Sequence, residues 1–319
     1  MYQSLSYKTK QLFFTAIKLS IVIGCVYFIY KKLANNNQLH FSDFYQNLIK
    51  NDVFSAKNIV LLSIFTIFNW FFEILKWSKL ASFVRKTTFL EAIKQSLASL
   101  TTSLITPNRI GEYGTKALYF EKKQRKKIMG LNLVGNFYQL LITLFFGLIG
   151  FGFFYLQHNV HISFRRFYKI FIVGFFLVFS FFYSVKQFKY RGYFVQKARA
   201  YINKIPKPLH VKIAVYSLFR YLIFSHQFYY LVLIFNIDIL YIDAMSAITS
   251  VYLIASIVPM LSVFDVVLKG TVAVWVFLFF QIEELTVLSI TTIMWIFNFV
   301  FPAIIGTYFV IIFKTTFAK

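Results

Sequence analysis

Residues 131–156 decide the fold, because they read LNLVGNFYQLLITLFFGLIGFGFFYL and contain no charged side chain. A second uncharged apolar run, residues 286–313, lies near the end of the sequence. Both runs exceed the roughly 20 residues that an α-helix needs to cross the hydrocarbon core of a bilayer. They predict an all-α protein embedded in a membrane.

The overall composition supports this prediction. The 319 residues are 59% hydrophobic and 14% charged, and the mean hydropathy is +0.66. A soluble domain of this size could not cover so much apolar surface. No long polar stretch could form a second, soluble domain, so we expect residues 1–319 to form a single integral membrane domain, a polytopic helical bundle. Its spans are predicted at residues 11–30, 58–77, 131–156, 167–185, 213–235 and 286–313.

The net charge of +23 is high enough to raise the question of nucleic-acid binding. The lysines and arginines, however, cluster in short loops between apolar runs, above all at residues 121–127 and 186–212. This is the positive-inside pattern of membrane proteins. It predicts contact with anionic lipids rather than nucleic acid, and a multi-pass protein of the inner (cytoplasmic) membrane with both termini in the cytoplasm. The basic loop 157–169 should lie outside and runs against the rule.

Two less regular apolar regions, residues 88–120 and 244–281, contain a repeated pattern. In each one a proline is followed by an acid and, four residues after the acid, by a lysine. Ionisable residues beside membrane spans are costly and are kept mainly for function. A pattern repeated in both halves of a membrane protein indicates a site where the halves meet. The predicted substrate-binding residues are therefore Pro107, Asn108, Arg109, Glu112, Lys116, Pro259, Asp265 and Lys269.

The charges around these two regions predict re-entrant hairpins. Basic residues flank 88–120 on both sides, so we expect this region to enter and leave the membrane on the cytoplasmic side and to turn at Pro107. Only acidic residues flank 244–281, which favours a hairpin from the outer side, although two complete crossings fit the charges equally well. The fold prediction is a bundle of two halves, about 1–156 and 167–319, related by an inverted repeat, each with a broken-helix element.

The first motif has the chemistry of an anion site. A residue before proline avoids helical geometry, so a helix should end at Thr106 and a new one begin after Pro107. The new helix start and Arg109 suit a phosphate or carboxylate. Glu112 and Lys116 share one helical face, where the alternative is an ordinary surface ion pair. In the second motif, Asp265 and Lys269 either neutralise each other or face a cavity.

Some polar residues within the spans are candidates for lining a cavity. Glu73 and Lys76 are three residues apart and could pair, Arg220 is expected to snorkel towards the surface, and Asn136 shares a helical face with Asn132. Packing is the alternative role for each of them. His158 and His161 have metal-compatible spacing but no third ligand nearby, and no catalytic motif is present, so we predict no metal, no cofactor and no catalytic residue.

The stretch Thr106-Pro107-Asn108-Arg109-Ile110-Gly111-Glu112, together with residues 72–77 (FEILKW), resembles the membrane region of the lysylphosphatidylglycerol synthase/flippase family. The glycines of that family's second segment are missing from residues 258–265. The resemblance implies a stand-alone form without the synthase domain, a bundle with two re-entrant elements around a lipid-sized cavity, and translocation of a phospholipid or other charged-headgroup lipid between leaflets.

On this hypothesis, Arg109 and the helix start hold a phosphate, Glu112 and Asp265 attract an amine, and Lys116 and Lys269 balance the acids. Two rival functions fit the sequence. One is a membrane enzyme acting on a lipid-linked substrate, with Glu112 or Asp265 as the base. The other is a non-catalytic subunit that anchors a partner through loop 186–212.

Overall fold

The computed structural model describes residues 41–104, 106, 109–158, 205–257 and 265–313. These residues form helices and connecting turns, with no strand among them. In chain order the elements are α1 (Phe41–Lys50), α2 (Ala56–Ser82), α3 (Phe89–Leu104), α4 (Ile110–Leu118), α5 (Arg125–His158), α6 (Lys207–Ile234), α7 (Tyr241–Ile257), α8 (Asp265–Phe277), a 3-10 turn (Leu278–Phe280), α9 (Glu284–Trp295), a π-helical turn (Ile296–Val300) and α10 (Phe301–Ile312).

Three helices are long and apolar enough to cross a membrane: α2, α5 and the continuous helix Glu284–Ile312 formed by α9, the π-helical turn and α10. They coincide with three predicted spans, 58–77, 131–156 and 286–313, so the prediction of an all-α, multi-pass membrane protein is confirmed at this level. The predicted span 213–235 lies in α6, which is 28 residues long but more polar. The predicted spans 11–30 and 167–185, both termini and most of loops 157–169 and 186–212 lie outside the described residues.

The surface of these helices carries many large apolar side chains that no other part of the described chain covers. Such a surface would aggregate in water but suits the hydrocarbon region of a bilayer. Exposed examples along the long helices include Ile67, Phe68, Leu133, Phe145, Phe153, Ile304 and Tyr308.

Regions 88–120 and 244–281 each contain two described helices, α3 with α4 and α7 with α8; the residues between α7 and α8 lie outside the described part of the chain. The first break is wider than predicted: α3 ends at Leu104 rather than Thr106, and α4 begins at Ile110. The hydroxyl of Thr106 explains the geometry, because it donates to the carbonyl of Thr102 (2.9 Å) and accepts from the amide N–H of Gly111 (2.8 Å). It therefore satisfies backbone groups at both helix ends.

The two broken-helix pairs pack reciprocally. The first arm of one pair, α3, lies along α10, whereas the first arm of the other pair, α7, lies along α5. Helices α2 and α6 pack against each other. Each broken pair therefore packs against the last long helix of the other half of the chain: α3 against α10, and α7 against α5.

Glycine permits close approach in both of these contacts. A Cβ atom on Gly306 of α10 would collide with the backbone carbonyl of Leu97 in α3, and one on Gly150 of α5 would collide with Thr249 in α7. The hydroxyl of Thr101 also donates to the carbonyl of Ala303 across the first contact, at 3.0 Å. Small residues of this kind allow helices to associate in a membrane.

Candidate functional site

A cavity of about 630 Å³ is lined by residues from both broken-helix pairs. The ends of α3 and α7 that precede the breaks both line it, as do α5, α6, α8 and the turn between α9 and α10. Aromatic and aliphatic side chains form much of the wall, including Leu140, Phe224, Phe228, Val251, Trp295 and Phe299. Among the predicted residues, Arg109 and Lys269 from the two repeats line this cavity together with Asn136 and Arg220.

The first repeat forms a cluster that we call the local triad: Arg109, Glu112 and Lys116. Glu112 is 3% exposed, and its two carboxylate oxygens lie 3.0 Å from Lys116 Nζ and 3.1 Å from Arg109 Nη2. Lys116 also donates to Asn132 Oδ1 at 2.7 Å and lies 4.4 Å from the centroid of the Trp77 ring. Glu112 and Lys116 therefore pair, as their i, i+4 spacing predicts. The pair is buried, which rules out the alternative of an ordinary surface ion pair.

Arg109 connects the local triad to the cavity. Its side chain is 45% exposed, and its backbone adopts the left-handed conformation with φ 56° and ψ 27°. A side chain other than glycine, asparagine or aspartate rarely adopts this conformation, and such residues concentrate at functional sites. The ion pair with Glu112 holds the guanidinium group at the start of α4.

A second cluster, the long-range triad, contains Glu73, Lys76 and Arg220. One carboxylate oxygen of Glu73 lies 2.7 Å from Lys76 Nζ and 2.7 Å from Arg220 Nη1, and Arg220 Nε donates to Asn69 Oδ1 at 3.1 Å. Arg220 is 20% exposed and faces the cavity. The expectation that Arg220 snorkels to the surface is wrong, because a buried carboxylate on the neighbouring helix binds it. Glu73 and Lys76 lie behind Arg220 and do not line the cavity.

A chain of buried amide side chains extends from the long-range triad. Asn69 Nδ2 donates to Asn298 Oδ1 at 2.7 Å, Asn298 Nδ2 donates to Gln227 Oε1 at 2.8 Å, and Gln227 Nε2 donates to Thr66 Oγ1 at 3.0 Å. These hydrogen bonds join α2, α6 and the π-helical turn. Sequence reasoning missed Gln227 and Asn298 as members of the site.

One sequence signal could have identified Asn298. Pro302 follows it by four residues and has no N–H group, so the carbonyl of Asn298 loses its usual helical donor. The indole N–H of Trp70 donates to this carbonyl instead, at 3.1 Å. A π-helical turn in an otherwise α-helical span often occurs at a functional site.

The second repeat is described only in part. Lys269 lines the cavity, and its Nζ lies 5.5 Å from the centroid of the Phe299 ring. Asp265 begins α8. Pro107, Asn108, Pro259 and the side chain of Asp265 lie outside what the structure describes.

Comparison of the chain with protein-family models, with curated proteins and with solved structures gives no match. The described residues contain no group of three His, Cys, Asp or Glu side chains that could hold a metal ion. The function must therefore be argued from the cavity and its charges.

Proposed function

We propose that this protein is a lipid transporter, a flippase that moves a phospholipid or lipid-linked molecule with a charged headgroup between the leaflets of the inner membrane. One observation carries the proposal: cationic side chains and aromatic walls share a cavity of about 630 Å³. This volume is in the range of small-molecule sites, roughly 300–1,000 Å³. The cations suit a headgroup, and Phe224, Phe228 and Trp295 suit the adjoining acyl chains.

The packing of the helices supports a transport mechanism. Reciprocal contacts of α3 with α10 and of α7 with α5 are the pattern expected of two halves related by an inverted repeat. On this proposal the two broken pairs are re-entrant elements, and Arg109 of the first half and Lys269 of the second approach the substrate from opposite sides. Rocking of one half against the other would open the cavity to each leaflet in turn.

The resemblance of residues 72–77 and 106–112 to the lysylphosphatidylglycerol synthase/flippase family supports the same function. In this proposal Pro107 and Pro259 break the helices, and Arg109 binds the phosphate. The structure changes the role that we assign to Glu112. Its carboxylate contacts two cations, so it holds Arg109 in place rather than attracting an amine. The basic segment 121–127 would contact anionic lipids of the cytoplasmic leaflet.

A vesicle assay tests the proposal. The purified protein is reconstituted into phosphatidylcholine vesicles with fluorescent phosphatidylglycerol, phosphatidylethanolamine or phosphatidylcholine, and loss of fluorescence after addition of membrane-impermeant dithionite reports translocation. We expect Arg109→Asn and Arg220→Gln to slow transport of the preferred lipid at least about tenfold, because each removes a charge-assisted contact. Asparagine tolerates the left-handed backbone at position 109.

Lys123→Gln is the matched control, because it also removes one positive charge but from a side chain that is 79% exposed. It should leave transport unchanged. Transport by folded Arg109→Asn and Arg220→Gln variants at the wild-type rate would contradict the proposal. A new lipid product on thin-layer chromatography would favour the enzyme alternative instead.

A further inference from the structure

Positive charges outnumber negative charges at the cavity. Its described wall contains three cationic side chains and no acidic one. The two carboxylates nearest to it, Glu73 and Glu112, are buried behind the wall, and each already contacts two cations. The cavity wall and both triads together contain five cationic side chains and two carboxylates. The cations are Arg109, Arg220, Lys269, Lys76 and Lys116.

This excess of positive charge persists whatever the undescribed side chain of Asp265 does. A carboxylate there would bring the count to five cations against three acids. Positive charge in a low-dielectric region is costly unless an anion compensates it. The two described carboxylates, even with Asp265 added, are fewer than the five cations, and a ligand with negative charge would balance the excess.

The neutral polar groups of the wall indicate a second property of the ligand. Four amide side chains line the cavity; Asn69 and Asn298 are already hydrogen-bonded within the buried amide chain, and Asn136 and Gln139 are the other two. The side-chain oxygen of Gln139 is buried and has no hydrogen-bond partner among the described residues. Uncharged amides of this kind hydrogen-bond hydroxyl groups, both as donors and as acceptors.

From these observations we infer that the cavity selects an anionic headgroup. This headgroup is a phosphate whose esterified alcohol carries hydroxyl groups and no amine. This inference deepens the proposed function and rests on it. Arg109 and Arg220 bind the phosphate, and Glu112 and Glu73 are positioning residues that hold the two guanidinium groups towards the cavity. An ammonium group would meet three like charges in the described wall, while the described carboxylates Glu73 and Glu112 already contact two cations each, so amine-bearing lipids are disfavoured.

Equilibrium binding in detergent micelles tests this selectivity separately from transport. The purified protein is titrated with fluorescent phosphatidylglycerol, phosphatidylethanolamine and phosphatidylcholine. We expect phosphatidylglycerol to bind at least about tenfold more tightly than either zwitterionic lipid. The preference should be lost in Arg109→Asn and Arg220→Gln, and kept in Lys123→Gln, which separates the cavity from the basic surface.

A gain-of-binding variant makes the test independent of folding defects. Asn136→Asp places a carboxylate in the cavity wall at a partly buried position. It should weaken phosphatidylglycerol binding and strengthen phosphatidylethanolamine binding, reducing the ratio of their affinities about tenfold or more. Asn136→Gln adds size without charge, so it should change both affinities in the same direction and reduce their ratio much less than Asn136→Asp does.

The binding assay tests the headgroup inference, and the vesicle assay tests the transporter proposal. If the wild-type protein binds phosphatidylethanolamine as tightly as phosphatidylglycerol, or if Asn136→Asp leaves the ratio unchanged, the headgroup inference is overturned even when lipid is transported. If phosphatidylglycerol binds selectively but no lipid crosses the vesicle membrane, the inference stands as a statement about the site and the transporter proposal fails.

Discussion

The local triad and the long-range triad contain the same three charges, a carboxylate between a lysine and an arginine, yet the chain assembles them differently. The local triad lies within residues 109–116, so one short helix positions it. The long-range triad joins Glu73 to Arg220, which are 147 residues apart. In both triads the lysine is buried and the arginine faces the cavity.

Their surroundings also differ. Lys116 has Asn132 and the Trp77 ring as additional partners, whereas the described part of the chain gives Lys76 a single close carboxylate, Glu73. Arg220 donates to both Asn69 and Glu73, but Arg109 is more exposed. The comparison shows that one triad depends on contacts between distant helices and the other mainly on its own helix.

The largest expected effect is that of Glu73→Gln. It leaves Lys76 buried without a carboxylate and Arg220 without its ion pair, so the free energy of unfolding should fall by about 3–5 kcal/mol. Thermal unfolding of the purified protein in detergent measures the loss. The double variant Glu73→Gln/Lys76→Met should recover much of it, and an unchanged melting temperature in the single variant would contradict the buried pairing.

Glu112→Gln should destabilise the protein less, by about 2 kcal/mol, because Lys116 keeps its hydrogen bond to Asn132 and its contact with the Trp77 ring. The two glutamine variants are compared in the same thermal unfolding assay. If Glu112→Gln costs as much stability as Glu73→Gln, the additional partners of Lys116 do not compensate and the comparison is wrong.

Gly111→Ala tests how the local triad is held against α3. A Cβ at this position would collide with the carbonyl of Thr102, so we expect a loss of about 1–2 kcal/mol and slower lipid transport as α4 shifts. Gly114 lies in the same helix and has open space around it. Gly114→Ala should be neutral or slightly stabilising, because alanine favours helix. Equal behaviour of the two variants would argue against close packing at residue 111.

Arg109→Asn should cost less stability than the Glu73, Glu112 and Gly111 variants, below about 1 kcal/mol, because its side chain is 45% exposed and Glu112 keeps its ion pair with Lys116. Arg220→Gln should cost more, since it removes two hydrogen bonds from a partly buried group. Transport should nevertheless fall in both variants. Thermal unfolding and the vesicle assay, run on the same preparations, separate the two effects, and a severe loss of stability in Arg109→Asn would contradict its exposed placement.

The sequence predicts features that depend on local pattern. Hydropathy predicts the spans that α2, α5 and the last long helix occupy, and Pro107 predicts a break near its position. The i, i+4 spacing predicts the pairing of Glu112 with Lys116. The bounds of the break were less accurate, because the Thr106 hydroxyl takes part in capping both helix ends and hydropathy does not register such a contact.

Features that depend on contacts between distant segments could not be predicted. Nothing near Arg220 in the sequence indicates that it binds Glu73 rather than the membrane surface. The same holds for Gln227 and Asn298, which meet only when α6 packs against the last long helix. Burial, too, follows from tertiary packing, so the choice between a surface pair and a buried pair at Glu112 was open until the fold was known.

The π-helical turn at Ile296–Val300 sets the rotational phase of the last long helix. Its wider winding offsets α10 relative to α9, and this offset directs Gly306 at the backbone of α3. If the same residues were wound as regular α-helix instead, everything beyond this turn would rotate by roughly 100°. A bulky neighbour would then replace the glycine at that contact, so the register of a single turn decides whether the two halves can lie together.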